Sequence, residues 1–138
     1  MRQFYILVKK HAMINVDKQI KYWINSSESD IETAELLLNN KKILHGLFFC
    51  HLAVEKAIKA HVVKNTLEVP PRTHNLLFLS EKAKIQWSED QEIFLGILMK
   101  YQLEGRYLDY NPAVPSKANL DKYLSQTKKI LEWLKNKL

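Results

Sequence analysis

His51, Glu55 and Lys59 follow one another at four-residue intervals, which sets an imidazole, a carboxylate and an ammonium in one row along a helix. Placed at about 100° per residue, His51 and Glu55 fall among Leu44, Phe48 and Val62, on an otherwise apolar face. A carboxylate there costs on the order of several kcal/mol unless it is paired or hydrogen-bonded. Glu55 therefore needs a cation or donors from elsewhere in the fold, or a place at the lip of a cleft. The row reads either as part of a site or as a buried ion pair that orients helices.

A second cluster is Gly105-Arg106-Tyr107-Leu108-Asp109-Tyr110. A planar cation beside two phenol rings and an acceptor suits phosphate and base recognition. The plainer alternative is a loop stapled by an Arg106–Asp109 bridge, with the tyrosines packed as lids. A third feature is Arg72-Thr73-His74 after two prolines, where His74 could act as acid, base or phosphate donor, or hold a helix end. His11, His45 and His61 have no partners at useful spacing. The chain has no Gly-rich phosphate loop, Gly-x-Ser-x-Gly elbow, Cys-x-x-Cys or His-Glu-x-x-His motif, so neither a metal nor a cofactor is expected.

These residues need a scaffold, and the pattern supplies helices. Ile20, Trp23, Ile24, Ile31, Ala34, Leu37 and Leu38 recur at three and four, predicting an amphipathic helix from Asp17 to Asn40 closed by the asparagine pair. From Ile43 to about Lys64 the apolar residues cover two faces, Phe49, Ala53, Ala57 and Ala60 lying opposite the first set. Such a helix is central to a bundle, or central and lining a dimer contact. Pro70 and Pro71 interrupt, and Thr73 or Asn75 caps a third helix with Leu76, Leu77, Leu79 and Ala83 inward. Ser88 with Gln91 has the form of a capping box, opening a fourth helix through Gln102 with Gly105 at its end. Ser116 caps a fifth, whose lysines mostly face solvent. With 3 glycines, 4 prolines and no strand alternation, the expectation is an all-α, single five-helix, up-and-down antiparallel bundle.

The 138 residues suit one domain. The net charge of +6 is less telling than it looks, because Arg2, Lys9 and Lys10 put half of it in the first twelve residues. Residues 1–12 read as an extension, disordered or the product of an upstream start, before a domain over 13–138. The apolar run Phe4 to Val8 is too short for a signal-peptide core, and nothing else approaches a membrane span. A single cysteine, Cys50, fits a reducing cytoplasm.

From about Val16 to Leu138 the chain resembles the HEPN domain family. The resemblance is carried by Ser29-Asp30-Ile31-Glu32-Thr33-Ala34-Glu35-Leu36-Leu37, by Phe49 to Ala60 with His51, Glu55 and Lys59, by Pro71-Arg72-Thr73-His74-Asn75-Leu76, and by Arg106-Tyr107-Leu108-Asp109. It implies a bundle related in shape to nucleotidyltransferase substrate-binding domains and usually dimeric. It also implies work with nucleotides or RNA, often beside a minimal nucleotidyltransferase as a toxin–antitoxin pair. Many members are metal-independent RNases with an Arg-x4-6-His motif at the dimer cleft. Arg106 fills the arginine position, but no histidine follows it. Metal-free RNA cleavage wants a group titrating near neutral pH, and Asp109, the other catalytic candidate, is a weak base. Binding therefore ranks ahead of catalysis, and a purely structural interaction module is the third reading. The ligand-binding set expected is His51, Glu55, Lys59, His74, Arg106, Tyr107 and Asp109.

Overall fold

Asn15 starts the first helix by accepting the Lys18 backbone N–H on its side chain at 3.0 Å, satisfying one of the donors a helix start leaves unpaired. The computed structural model describes residues 14–138; the extension read for residues 1–12 lies outside the described residues. The described residues form five helices in order: α1 Val16–Asn39, α2 Ile43–Thr66, α3 Leu76–Lys82, α4 Glu89–Met99 and α5 Lys117–Asn136. No strand occurs among the described residues.

The caps are side chains of the expected kinds. Asn75 accepts from Leu77 and Phe78 N–H at the start of α3, Ser88 and Gln91 form a reciprocal capping box on α4, and Ser116 opens α5. Two ends differ from the expectation. Asn40 is not left-handed: its φ is −97°, and it closes α1 by donating its side-chain amide to the Leu36 carbonyl at 2.8 Å. The left-handed residue is Lys41, with φ 62°. The fourth helix stops at Met99 rather than Gln102, because Lys100, Tyr101 and Gln102 each donate N–H three residues back and tighten the end into a 3₁₀-type turn. Gly105 lies beyond that turn with φ +74°, a backbone shape glycine takes without strain.

Side-chain ties give the directions. Ser27 Oγ donates to the Ala53 carbonyl at 2.6 Å and Asp30 pairs with Lys56 at 2.7 Å, tying α1 to α2. Trp23 lies beside Lys59, Lys56 Nζ donates to Ser26 Oγ at 2.8 Å and Leu38 lies against Gly46, so residue numbers on α1 rise as those on α2 fall. Glu28–Lys135 and Glu35–Lys128 likewise run α1 antiparallel to α5. His61 meets the Leu134 carbonyl at 2.8 Å and Lys64 meets the Lys137 carbonyl at 2.8 Å, so α2 and α5 run parallel and α2 supplies donors to the open end of α5. The Trp87–Trp133 and Phe94–Tyr123 ring pairs set α4 antiparallel to α5. This is an up-and-down bundle with α2 at its centre.

The core runs along α2. Leu47, Cys50, Val54, Ile58, Val62 and Val63 are buried there with Leu76, Leu79, Leu95, Leu98 and Leu134 from other elements. The alanine face of α2 is taken up within the chain: α1 lies over Ala53, and Ala57 sits between α1 and α5. Burial pushes the Cys50 thiol up to about 11, against a weaker opposing hydrogen bond with Thr127, so it packs as a small hydrophobe.

α1 and α2 pack tightly at Gly46, where a Cβ would lie 2.5 Å from Leu38 Cδ2 and 3.3 Å from the Ala34 carbonyl oxygen. Gly46→Ala is expected to destabilise the fold by about 1–3 kcal/mol, as overpacking does, despite alanine's better helix propensity. Urea unfolding checks this, and a neutral or stabilising result would mean the crossing is looser than described.

Candidate functional site

The buried residue that organises the site is Glu55, 2% exposed on the central helix. Its two oxygens are used separately. Oε2 accepts from Lys59 Nζ at 3.0 Å, one turn along α2, and Oε1 accepts from His74 Nδ1 at 2.7 Å, from the connection before α3. These two partners offset the cost of burying the carboxylate. Lys59 is itself only 7% exposed, and its ammonium lies 5.2 Å from the centre of the Trp23 ring on α1.

His51 fixes the connection from the other side. Its Nε2–H donates to the His74 backbone carbonyl at 3.0 Å, while Nδ1 stands 3.8 Å from Glu55 Oε1. Burial is the dominant influence on this imidazole and pushes it down to about 4, against the opposing pull of Glu55. His51 is therefore neutral near pH 7, with its proton committed to a backbone carbonyl. It holds the loop so that the His74 side chain reaches Glu55.

With Nδ1–H on Glu55, His74 turns Nε2 outward, 3.4 Å from Glu104 Oε2. His74 and Arg106 line one open cavity of about 360 Å³ with Thr73, Asn75, Gln102 and Glu104. Arg106 is held at the base of its side chain: Nε donates to the Gln102 carbonyl at 3.0 Å and the guanidinium lies 4.6 Å above the Tyr110 ring. Tyr110 is anchored in turn by its hydroxyl, which donates to the Lys100 carbonyl. The Arg106–Asp109 bridge does not form, and Arg106 pairs with no carboxylate among the described residues. Its terminal nitrogens are left for something else.

The structure thus joins His51, Glu55, Lys59 and His74 in one network and brings His74 and Arg106 to one cavity. Tyr107 and Asp109 stand apart: Tyr107 is 87% exposed, Asp109 is exposed, and neither lines the cavity. Sequence reasoning passed over Glu104 and Gln102 as site residues, and Tyr110 as the platform for Arg106. Glu104 and Gln102 lie where the helix gives way to a tight turn, so no periodicity places them. His61, to which spacing assigned nothing, is a buried structural tie to α5. Among the described residues no group of three or more His, Cys, Asp or Glu side chains is placed to hold a metal ion.

The family model of the HEPN domain matches residues 20–137. The chain belongs to the HEPN domain family. Two crystal structures share the fold. The protein TT1696 from Thermus thermophilus is 23% identical and superposes with a TM-score of 0.72, covering 87% of this chain and 98% of that one. ST0689, an archaeal HEPN homologue, is 17% identical with a TM-score of 0.58, covering 86% and 96%. No curated protein matches the chain. In this HEPN domain no helix of the described residues is long and apolar enough to cross a membrane.

The buried imidazoles give a pH dependence of defined sign. His51, at about 4, and His61, also lowered by burial, bind protons more readily unfolded than folded. Their contribution is fully present above the ordinary histidine value of about 6.5 and is lost as pH falls from there through the folded values. His51→Gln keeps an N–H donor but cannot titrate. Its denaturation midpoint should fall less steeply between pH 6.5 and pH 4 than that of the unsubstituted protein; identical slopes would mean His51 does not charge on unfolding.

Proposed function

We propose that this HEPN domain binds the phosphate of a nucleotide or RNA in the cavity between Arg106 and His74. The observation that carries the reading is Arg106, a guanidinium fixed over Tyr110 by Nε with no carboxylate partner among the described residues, beside an imidazole oriented by a buried carboxylate. A guanidinium with its fork free is shaped for bidentate contact to phosphate. His74 adds a directional donor or acceptor at Nε2. Lys59 and His51 act behind the surface, holding Glu55 and the His74 backbone, while Tyr107 and Asp109, exposed and outside the cavity lining, are given no contact. The family relation supports a homodimer, a minimal nucleotidyltransferase as partner, and a toxin–antitoxin setting.

A second reading, metal-independent RNA cleavage, is favoured by one specific observation: His74 shares a cavity with Arg106, although no histidine follows Arg106 in sequence. A carboxylate holding Nδ1–H directs Nε2 into the cavity, 3.4 Å from Glu104 Oε2, and a substrate hydroxyl that displaced the exposed Glu104 would meet it as a base. In such a step Nε2 takes the 2′-hydroxyl proton, the 2′-oxygen attacks the adjacent phosphorus, and the bond to the 5′-oxygen breaks. The products are a 2′,3′-cyclic phosphate and a 5′-hydroxyl that has gained a proton, with Arg106 stabilising the charge on phosphorus.

Adenosine monophosphate titrated calorimetrically should bind the unsubstituted protein and bind Arg106→Ala at least about tenfold more weakly, the effect of losing a charge-assisted hydrogen bond of roughly 1.5–3 kcal/mol. Equal affinity would remove Arg106 from the site. RNA incubated with protein in excess chelator separates the two readings. Degradation lost in both His74→Ala and Arg106→Ala supports cleavage, and intact RNA at high protein concentration leaves binding alone.

A further inference from the structure

A second cavity lies on the other side of the connection that carries His74. It measures about 520 Å³ and is lined by Lys18, Tyr22 and Trp23 of α1, Lys59 of α2, and Pro71 and Arg72 of the connection, among others. Three of its lining residues are cations and none is an acid. Lys18 and Arg72 are exposed, and neither pairs with a carboxylate among the described residues. Lys59 contributes from the cavity floor, already committed on one side to Glu55. Tyr22 is 58% exposed, and its ring meets the edge of Trp23 with centroids 4.9 Å apart and planes at 90°.

Unpaired cations around an exposed aromatic surface suit a ligand with planar rings and negative charge. Single-stranded nucleic acid is bound by this combination, cations following the backbone and aromatic faces taking the bases. The two cavities are also neighbours by construction. Pro71 and Arg72 wall one, and Thr73 and His74, the next two residues, wall the other. The chain bends between them, Thr73 N–H donating to the Pro71 carbonyl at 3.0 Å, so consecutive residues of one short turn line the two cavities.

We propose that the Lys18–Tyr22–Arg72 cavity is a second subsite for the same ligand, and that this ligand is a single strand of RNA lying across the 71–74 connection. One phosphate sits at Arg106 and His74, and a neighbouring nucleotide sits with its base on Tyr22 and its phosphate against Arg72 and Lys18. This rests on the phosphate-binding reading of the Arg106 cavity, and it narrows the ligand from a nucleotide to a strand.

The test uses 2′-O-methyl oligouridylates of two, four and eight nucleotides, labelled with fluorescein and followed by anisotropy; the blocked 2′-oxygen separates binding from cleavage. Affinity should rise at least about tenfold from the dimer to the octamer. Tyr22→Ala, and separately the pair Lys18→Ala with Arg72→Ala, should weaken octamer binding about fivefold or more, leave adenosine monophosphate binding at the Arg106 site unchanged, and flatten the salt dependence for the charge pair. Tyr22→Phe should restore octamer binding, because it keeps the ring. The substituted residues are exposed, and thermal melts of each variant confirm folding.

An octamer that binds no tighter than the dimer overturns the proposal, as does one whose affinity neither the Tyr22 variant nor the charge-pair variant changes. Displacement by polyglutamate at equal charge concentration would also overturn it, by showing a surface that takes any polyanion. Adenosine monophosphate binding that is lost in Arg106→Ala alongside an unaffected octamer series in the α1 variants would defeat this inference while leaving the Arg106 site standing. Octamer binding that depends on Tyr22 but not on Arg106 would take Arg106 out of the strand's path and overturn the two-subsite proposal, whatever adenosine monophosphate does.

Discussion

One carboxylate sits inside the helical core, removed from the solvent that would otherwise carry its charge, and the local architecture answers that constraint. Glu55 is buried on the helix that every other helix packs around, where an unpaired charge would cost on the order of several kcal/mol. Lys59 satisfies one oxygen from the next turn of the same helix, a local solution available wherever a lysine stands four residues on. The other oxygen cannot be satisfied locally. It draws in His74 from a connection nineteen positions away in sequence, and the neutral His51, one turn before Glu55, clamps the backbone of that same residue. The connection between α2 and α3 is therefore tied to the core at two points.

The placement of α2 makes this possible. A helix with apolar residues on two faces has little solvent boundary on which to carry polar groups, so its polar residues are used on neighbouring elements. Lys56 binds Asp30 and Ser26 on α1, and His61 and Lys64 take the last carbonyls of α5. The Glu55 network is the same tactic applied to a loop. It differs because one of its members, His74, is only partly buried and opens onto a cavity with an unpaired arginine.

Much of this was legible from residue order. The i, i+4, i+8 spacing of His51, Glu55 and Lys59 identified a polar row on an apolar face, and the physics of a buried carboxylate required a partner from elsewhere. The capping residues Asn75, Ser88 and Ser116 announced three helix starts because their side-chain oxygens satisfy donors that only a helix start leaves open. What residue order could not supply was which distant group answers Glu55. His74 and Arg72 looked alike in sequence, two polar residues after a pair of prolines, yet one turns inward and the other lines a different cavity. The end of α4 was misplaced for a local reason: Tyr101 and Gln102 continue the apolar and buried pattern while their backbones have left the α-helix. The platform under Arg106 is Tyr110, because the turn beyond Gly105 returns that ring to the guanidinium, and tertiary folding of a loop leaves no periodic trace.

The division of labour between the two oxygens of Glu55 has a thermodynamic consequence. Lys59 borders the cavity that Trp23 also lines, and His74 borders the cavity of Arg106, so a single buried carboxylate is bonded to one residue of each opening. A negative group arriving beside Lys59 competes with Glu55 for the ammonium, and a carboxylate that loses part of one partner leans harder on the other. Were both openings to take anions, as proposed above, the path between them would be an ion pair and a hydrogen bond on one side chain. By linkage any such influence would be equal in both directions, carried by the two oxygens of Glu55.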